Sequence, residues 1–258
     1  MYKPKVKICG LKRPEDIQIV NKYKPDFAGF VFAPSKRRVT PEYAKSLINN
    51  LDSSILRAGI FVNEEAAIAA EIAVYCGLDA IQLHGDEDNG YIKKLRDLLY
   101  NKYNYNKCNY NKCNKRGCSL HNTTDISQIN SELSEMQNIP VTNKNIPGMD
   151  NSIPEIWKAV RVKDRESLNF LHKYQADAYV LDTYSEKAYG GTGNAFDWEI
   201  ARGIAAEGIK IILAGGLNPQ NIRRAIDIVM PFAVDVSSGV ETNGCKDEEK
   251  VKEFIFMI

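Results

Sequence analysis

Short runs rich in β-branched and aromatic residues recur along this chain at nearly constant intervals, with helical periodicity between them. The runs are KVKIC, FAGFVF, LRAGIFV, AIQLHG, IWKAVRV, AYVLDT, IKIILAGG and FAVDVSSG. Counted from Lys5, Ala28, Arg57, Ala80, Ile156, Tyr179, Lys210 and Ala233, successive starts lie 23, 29, 23, 76, 23, 31 and 23 residues apart. Between most of them, stretches such as PEYAKSLINNL, EEAAIAAEIAVYCG and NPQNIRRAIDIV read as helices, with Pro or Asn at the start and Gly near several ends. Eight strand-helix units with short connections predict an α/β protein whose parallel sheet closes into a (β/α)8 barrel, the TIM barrel. An open doubly wound sheet also fits the alternation, but no G-x-G-x-x-G follows the first strand, which makes it the weaker reading.

The interval of 76 residues stands apart and marks an insertion between the fourth helix and the fifth strand. Residues 101–153 are rich in Asn and Lys and carry little apolar periodicity. They predict a low-complexity surface excursion with one short helix at DISQINSELSEM, inside a single domain spanning residues 1–258. A helix-to-strand connection opens on the barrel face opposite the catalytic one, so the excursion is expected to stay clear of the chemistry. Within it, Cys108, Cys113, Cys118 and His121 form C-x4-C-x4-C-x2-H, which is zinc-compatible in residue type. The first two spacings are wider than those of usual zinc pairs and NYNKC repeats, so low-complexity expansion is the preferred reading and no metal is expected.

Composition narrows the partners. With 34 Lys and Arg against 33 Asp and Glu, the net charge of +1 offers nothing to nucleic acid or an anionic membrane and favours a small-molecule substrate. The start, MYKPKVKICGLK, has no apolar core of a signal peptide, and no later window approaches a membrane span. Six scattered cysteines in 258 residues fit a reducing compartment better than a disulfide framework, so a cytoplasmic protein is expected. The assembly state, monomer or homodimer, is open.

In a parallel barrel, reactive groups sit at the carboxyl ends of the strands and in the loops that follow. Those positions hold Cys9, Arg37, His84, Asp182, Gly215 and Gly216, then Ser237, Ser238 and Gly239. Glycines and serines after strands seven and eight can offer backbone N–H groups to a phosphate, and Gly190, Gly191 and Gly193 let their loop approach the same anion. Arg37 suits a carboxylate. Cys9 and Asp182 remain for proton transfer. Each has a plainer reading: a packed cysteine, a turn-capping Asp, glycines that relieve crowding, a loop-bonding His84. Their convergence on one rim favours chemistry.

KICGLKRPEDI, GFVFAPSKRRVTPEYA, AGIFVNEE, IQLHGDE, LDTYSEKAYGGTGNAFDW, LAGGLNPQNIRRAI and DVSSGVETNGCKD together closely resemble the phosphoribosylanthranilate isomerase family of tryptophan biosynthesis. The resemblance covers Val6 to about Tyr100 and Ile156 to the carboxyl end. The Asn-rich insertion departs from the family pattern, and Asn194 stands where many members carry a basic residue. The resemblance implies an Amadori rearrangement of N-(5-phosphoribosyl)anthranilate to the 1-deoxyribulose 5-phosphate isomer, without metal or cofactor. It also implies Asp182 as general acid, Cys9 as general base and Arg37 as the ligand of the anthranilate carboxylate. Asp235, inward by alternation with Val234 and Val236, is expected to hold the Arg37 fork. Asp182 then needs burial or a nearby negative charge to keep its proton, and Cys9 needs a cation or backbone donor to lower its pKa. Lys7 is not assigned that task, because its direction is not fixed by adjacency. Two rivals remain: a non-catalytic phosphosugar-binding barrel, and a histidine-pathway isomerase, in which a pair of acids is expected where this first strand ends in KICG.

Overall fold

Each apolar run becomes a strand in the computed structural model, which describes residues 2–114, 153–162, 165–168, 171–183 and 198–258. The strands are β1 (Lys5–Cys9), β2 (Phe27–Val31), β3 (Leu56–Phe61), β4 (Ala80–Leu83), β5 (Glu155–Val162), β6 (Ala178–Thr183), β7 (Ile211–Leu213) and β8 (Ala233–Val236). They pair in chain order, all parallel, and β8 closes on β1. The barrel is therefore the expected (β/α)8 architecture. Its described helices are α1 (Pro14–Tyr23), α2 (Pro41–Ile48), α3 (Ala66–Cys76), α4 (Asn89–Asn114), α5 (Trp198–Ala206), α6 (Ile222–Val229) and α7 (Glu248–Phe256).

The period of two along each strand sorts side chains into two layers. Val6, Ile8, Ile81, Leu83, Leu181, Leu213, Val234 and Val236 belong to the large cluster shared with the helices. The alternate residues Ala58, Ala80, Ala178, Val180, Ile212 and Ala233 form a second cluster with Phe27 and Trp157. Small alanines leave the volume that Trp157 fills, and its ring meets Phe27 edge-on at 5.0 Å. Continuing the same parity upward places Lys7 and Cys9 of β1, Gln82 of β4, Asp182 of β6 and Asp235 of β8 inside. All five are buried. The interior thus changes from apolar to polar toward the carboxyl ends of the strands.

Two connections differ from expectation. Between β5 and β6 the described residues form 3-10 turns at Arg165–Leu168 and Leu171–Lys173 rather than a fifth α-helix. Each turn buries one leucine, Leu168 in the first and Leu171 in the second. The fourth helix also runs past residue 101, where the insertion was expected to begin, and continues to Asn114. Ile92, Leu95 and Leu99 are buried and Tyr103 packs against the same core, while Lys102 pairs with Glu71 of α3 at 3.4 Å. That stripe carries the helix across the change in composition. The rest of the segment, including the expected short helix, lies outside the described residues.

After β8 the chain makes a 3-10 turn (Ser238–Val240) and then a small antiparallel hairpin, β9 (Glu241–Thr242) and β10 (Cys245–Lys246). Asn243 and Gly244 form its turn at φ +53° and +74°, the left-handed pair that Asn-Gly adopts at little cost. This hairpin sets Glu241 directly opposite Lys246.

Candidate active site

Cys9 ends β1 in register with Gly29 of β2, and a Cβ on Gly29 would stand 3.0 Å from the Cys9 Sγ. Any larger residue there would push the thiol by a few tenths of an ångström. Ser237 Oγ donates to the Cys9 carbonyl at 3.0 Å, tying the end of β1 to the loop after β8. Two residues earlier on the same face, the Lys7 ammonium is fully buried and donates to Asp235 Oδ2 at 2.7 Å and Gln82 Oε1 at 2.8 Å. Burial opposes the charge on Lys7, but Asp235 and Cys9 outweigh it and keep the amine above its ordinary pKa. Burial pushes the Cys9 thiol above its ordinary value, while Lys7 and Lys246 pull it down. The lowered thiol that the chemistry asked for is thus not found in this structure, because desolvation outweighs both cations.

Arg37 lies in the loop after β2, and its guanidinium grips Glu241 through Nε to Oε1 and Nη2 to Oε2, each at 2.8 Å. Gly10, at φ +83°, passes so close beneath Arg37 Cδ that a side chain there would collide with it. Glu241 also accepts from Lys246 Nζ at 2.7 Å. Burial would raise the Glu241 carboxyl, but Arg37 and Lys246 overcome it and bring its pKa to about 2. The expectation that Asp235 holds the Arg37 fork is therefore corrected. Asp235 faces inward as expected, but its register is with Lys7, and Lys7 takes its Oδ2. Arg38 is exposed and joins Val31 only through an isolated backbone bridge.

On the opposite side of the barrel, Asp182 lies one residue before the end of β6 with 6% of its surface exposed. His84, in the loop after β4, brings Nε2 to 3.3 Å from Asp182 Oδ2, a close contact that is not aligned as a hydrogen bond. The other ring nitrogen of His84, Nδ1, lies 3.2 Å from Gln82 Nε2. The loop itself is pinned by Glu87, which accepts from Asn63 N at 2.7 Å, from Gly85 N at 3.0 Å and from the buried Lys158 ammonium at 2.9 Å. Removing one member of such a buried pair costs about 3–5 kcal/mol, so His84 is held by a rigid loop.

Gly215 and Gly216 follow β7 with φ of +79° and +67°, a left-handed pair that turns the loop. Asn221 Nδ2 donates to the Gly216 carbonyl at 2.9 Å and Asn221 Oδ1 accepts from Asn218 N at 2.9 Å, which fixes that loop against α6. Gly239 packs against the Leu217 carbonyl so closely that no Cβ fits, bringing the loops after β7 and β8 together. Gly190, Gly191 and Gly193 lie outside the described residues, as do the side chains of Cys108, Cys113, Cys118 and His121. Among the described residues no group of three His, Cys, Asp or Glu is placed to hold a metal. A cavity of about 350 Å³ lined by Arg96, Tyr100, Glu155, Asp177 and Lys210 includes none of the candidate site residues.

Sequence reasoning missed Gln82, Glu241, Lys246, Asn218 and Asn221. Two signals were present: Gln82 lies two residues before His84, and Asn243-Gly244 marks the hairpin that pairs Glu241 with Lys246.

The family model described as N-(5'phosphoribosyl)anthranilate (PRA) isomerase matches residues 6–119 and 121–256. An N-(5'-phosphoribosyl)anthranilate isomerase of Acetivibrio thermocellus is 45% identical over 253 residues, covering 98% of this chain and 94% of that protein. A solved phosphoribosyl anthranilate isomerase of Thermotoga maritima superposes with a TM-score of 0.71 at 31% identity, covering 98% of this chain and 97% of that one. A solved phosphoribosyl anthranilate isomerase in complex with reduced 1-(o-carboxyphenylamino)-1-deoxyribulose 5-phosphate gives 0.68 at 30% identity, with coverage of 98% and 97%. No helix among the described residues is long and apolar enough to cross a membrane.

Proposed function

The chain belongs to the family of N-(5'-phosphoribosyl)anthranilate isomerases, enzymes of tryptophan biosynthesis, and we propose that it performs their rearrangement with Asp182 as acid and Cys9 as base. Asp182 protonates the furanose ring oxygen, the C1–O bond breaks, and the anilinic nitrogen stabilises the cation as an iminium. The Cys9 thiolate then removes the proton from C2, and the electron pair of that C–H bond neutralises the iminium to an enolamine. Tautomerisation gives the ketone.

The observation that carries this reading is the polar upper layer of the barrel, where Cys9 and Asp182 face inward from β1 and β6 over an otherwise apolar interior. Lys7 and Lys246 favour the thiolate of Cys9, although burial outweighs them and keeps the thiol above its ordinary value. They are the cations that a catalytic thiol needs. Arg37, with its fork fixed by Glu241, retains guanidinium protons for the anthranilate carboxylate. The left-handed Gly215 and Gly216, with Ser238 and Gly239, supply backbone N–H groups for the phosphate, and Gly191 and Gly193 are assigned to the same anion. Free thiols at Cys9, Cys76 and Cys245 suit a reducing cytoplasm.

The test is a fluorescence assay that follows loss of phosphoribosylanthranilate made in situ. Well-folded protein that leaves the substrate untouched would overturn the proposal and favour a non-catalytic phosphosugar-binding barrel.

A further inference from the structure

Lys7, Gln82, His84 and Asp182 form a continuous line across the mouth of the barrel, and donor chemistry fixes its direction. The Lys7 ammonium only donates, so the Gln82 oxygen must face it, as it does at 2.8 Å. The Gln82 amino group is thereby turned toward His84 Nδ1 at 3.2 Å, and an amino group also only donates. Nδ1 must then present its lone pair, which leaves the ring proton on Nε2. That nitrogen is buried and faces Asp182 Oδ2 at 3.3 Å. A doubly protonated ring would set an Nδ1 proton against the protons of Gln82.

We propose that Gln82 is a positioning residue that holds His84 as the neutral Nε2–H tautomer, so that His84 faces Asp182 with a proton instead of a lone pair that would take one from it. A free imidazole is more basic than a free carboxylate, and an unconstrained His beside an Asp draws the proton to itself. An acid in that state has nothing to give to the furanose oxygen. Gln82 removes this drain, and His84 Nε2–H stabilises the carboxylate left after ring opening. Lys7 anchors the amide from below and is in turn fixed by Asp235 at 2.7 Å, so the buried network that holds His84 reaches from β4 to β1 and β8. This inference rests on the assignment of Asp182 as the acid.

The chain has three histidines, His84, His121 and His172, which makes the ring nitrogens resolvable in long-range proton–nitrogen spectra of uniformly labelled full-length protein. His84→Asn assigns the signal. At neutral pH the wild-type spectrum should show Nδ1 unprotonated and Nε2 protonated. An Nδ1–H tautomer, or two protonated nitrogens, would overturn the proposal whether or not any variant folds. Gln82→Met should blur the tautomer signature and lower kcat by about tenfold with KM little changed, a fraction of the effect of a general acid. Gln82→Glu keeps an acceptor for Lys7 but offers none of the protons that repel an imidazolium, so His84 should become doubly protonated and kcat should fall at least as far. Wild-type kcat in Gln82→Glu would mean that Gln82 serves Lys7 alone. Full activity in Asp182→Asn would sink the acid assignment and leave the tautomer result standing, so the two failures are distinguishable.

Discussion

Replacing Glu241 with glutamine removes one negative charge that serves two cations. Arg37 meets Glu241 through two bonds of 2.8 Å and Lys246 meets it at 2.7 Å, with only 6% of the Glu241 side chain exposed. The shift of the Glu241 carboxyl from 4.5 to about 2 corresponds to roughly 3 kcal/mol between its charged and neutral forms. Arg37 is 23% exposed, and solvent screening reduces the stability at stake to about 2 kcal/mol. For a domain of this size that lowers Tm by roughly 4–8 °C. Because the folded pKa lies below the ordinary value, the stabilisation is full above about pH 4.5 and is lost as pH falls toward about 2. The gap in stability between wild type and Glu241→Gln should therefore be complete at pH 6 and narrow steadily below pH 4.5. A freed Arg37 must also be ordered again by substrate, at about 1.5–2 kcal/mol for its rotamers. KM should rise by roughly ten- to thirtyfold while kcat holds. Thermal unfolding across pH, together with steady-state kinetics, checks both effects. Equal stability at pH 6 with an unchanged KM would refute the role given to Glu241.

Gly29→Ala places a methyl 3.0 Å from the Cys9 Sγ, and the few tenths of an ångström by which the base must shift should lower kcat by less than the roughly hundredfold of a 1 Å misplacement, with the fold retained; unchanged turnover would separate Cys9 from the chemistry. Arg37→Lys should raise KM strongly because one point charge replaces a fork, whereas exposed Arg38→Lys should be nearly silent; matching kinetics in the two variants would place the carboxylate elsewhere. Burial holds the Cys9 thiol above its ordinary value, so its alkylation rate should keep rising with pH beyond the range of a free thiol. A rate already at its plateau near neutral pH would contradict that balance.

The alternation of strands and helices was legible because each apolar run was bounded by turn residues at near-constant spacing. Cys9, His84 and Asp182 were legible for the same reason: they sit where runs end. Parity was only half used. Cys9 facing inward requires Lys7 to face inward too, and Gln82 shares a face with Ala80, yet neither inference follows until one residue of each strand is oriented. The Asp235 expectation failed differently. Alternation gave its face correctly but not its partner: register sets it beside Lys7, which takes its Oδ2, while Arg37 is held by Glu241. Glu241 could not be paired with Arg37 from the chain alone, since 204 residues separate them and only barrel closure makes them neighbours. α4 outruns the change in composition because the stripe of Ile92, Leu95, Leu99 and Tyr103 continues across it.

The most direct test of the account is turnover of Cys9→Ala and Asp182→Asn in the phosphoribosylanthranilate assay, measured beside their affinity for a reduced product analogue. Each variant should fold normally, bind the analogue nearly as wild type does, and lose activity by at least about a hundredfold, the lower range for removal of a general acid or base. Near wild-type turnover in either variant would contradict the assignment of that residue and with it the proposed proton path.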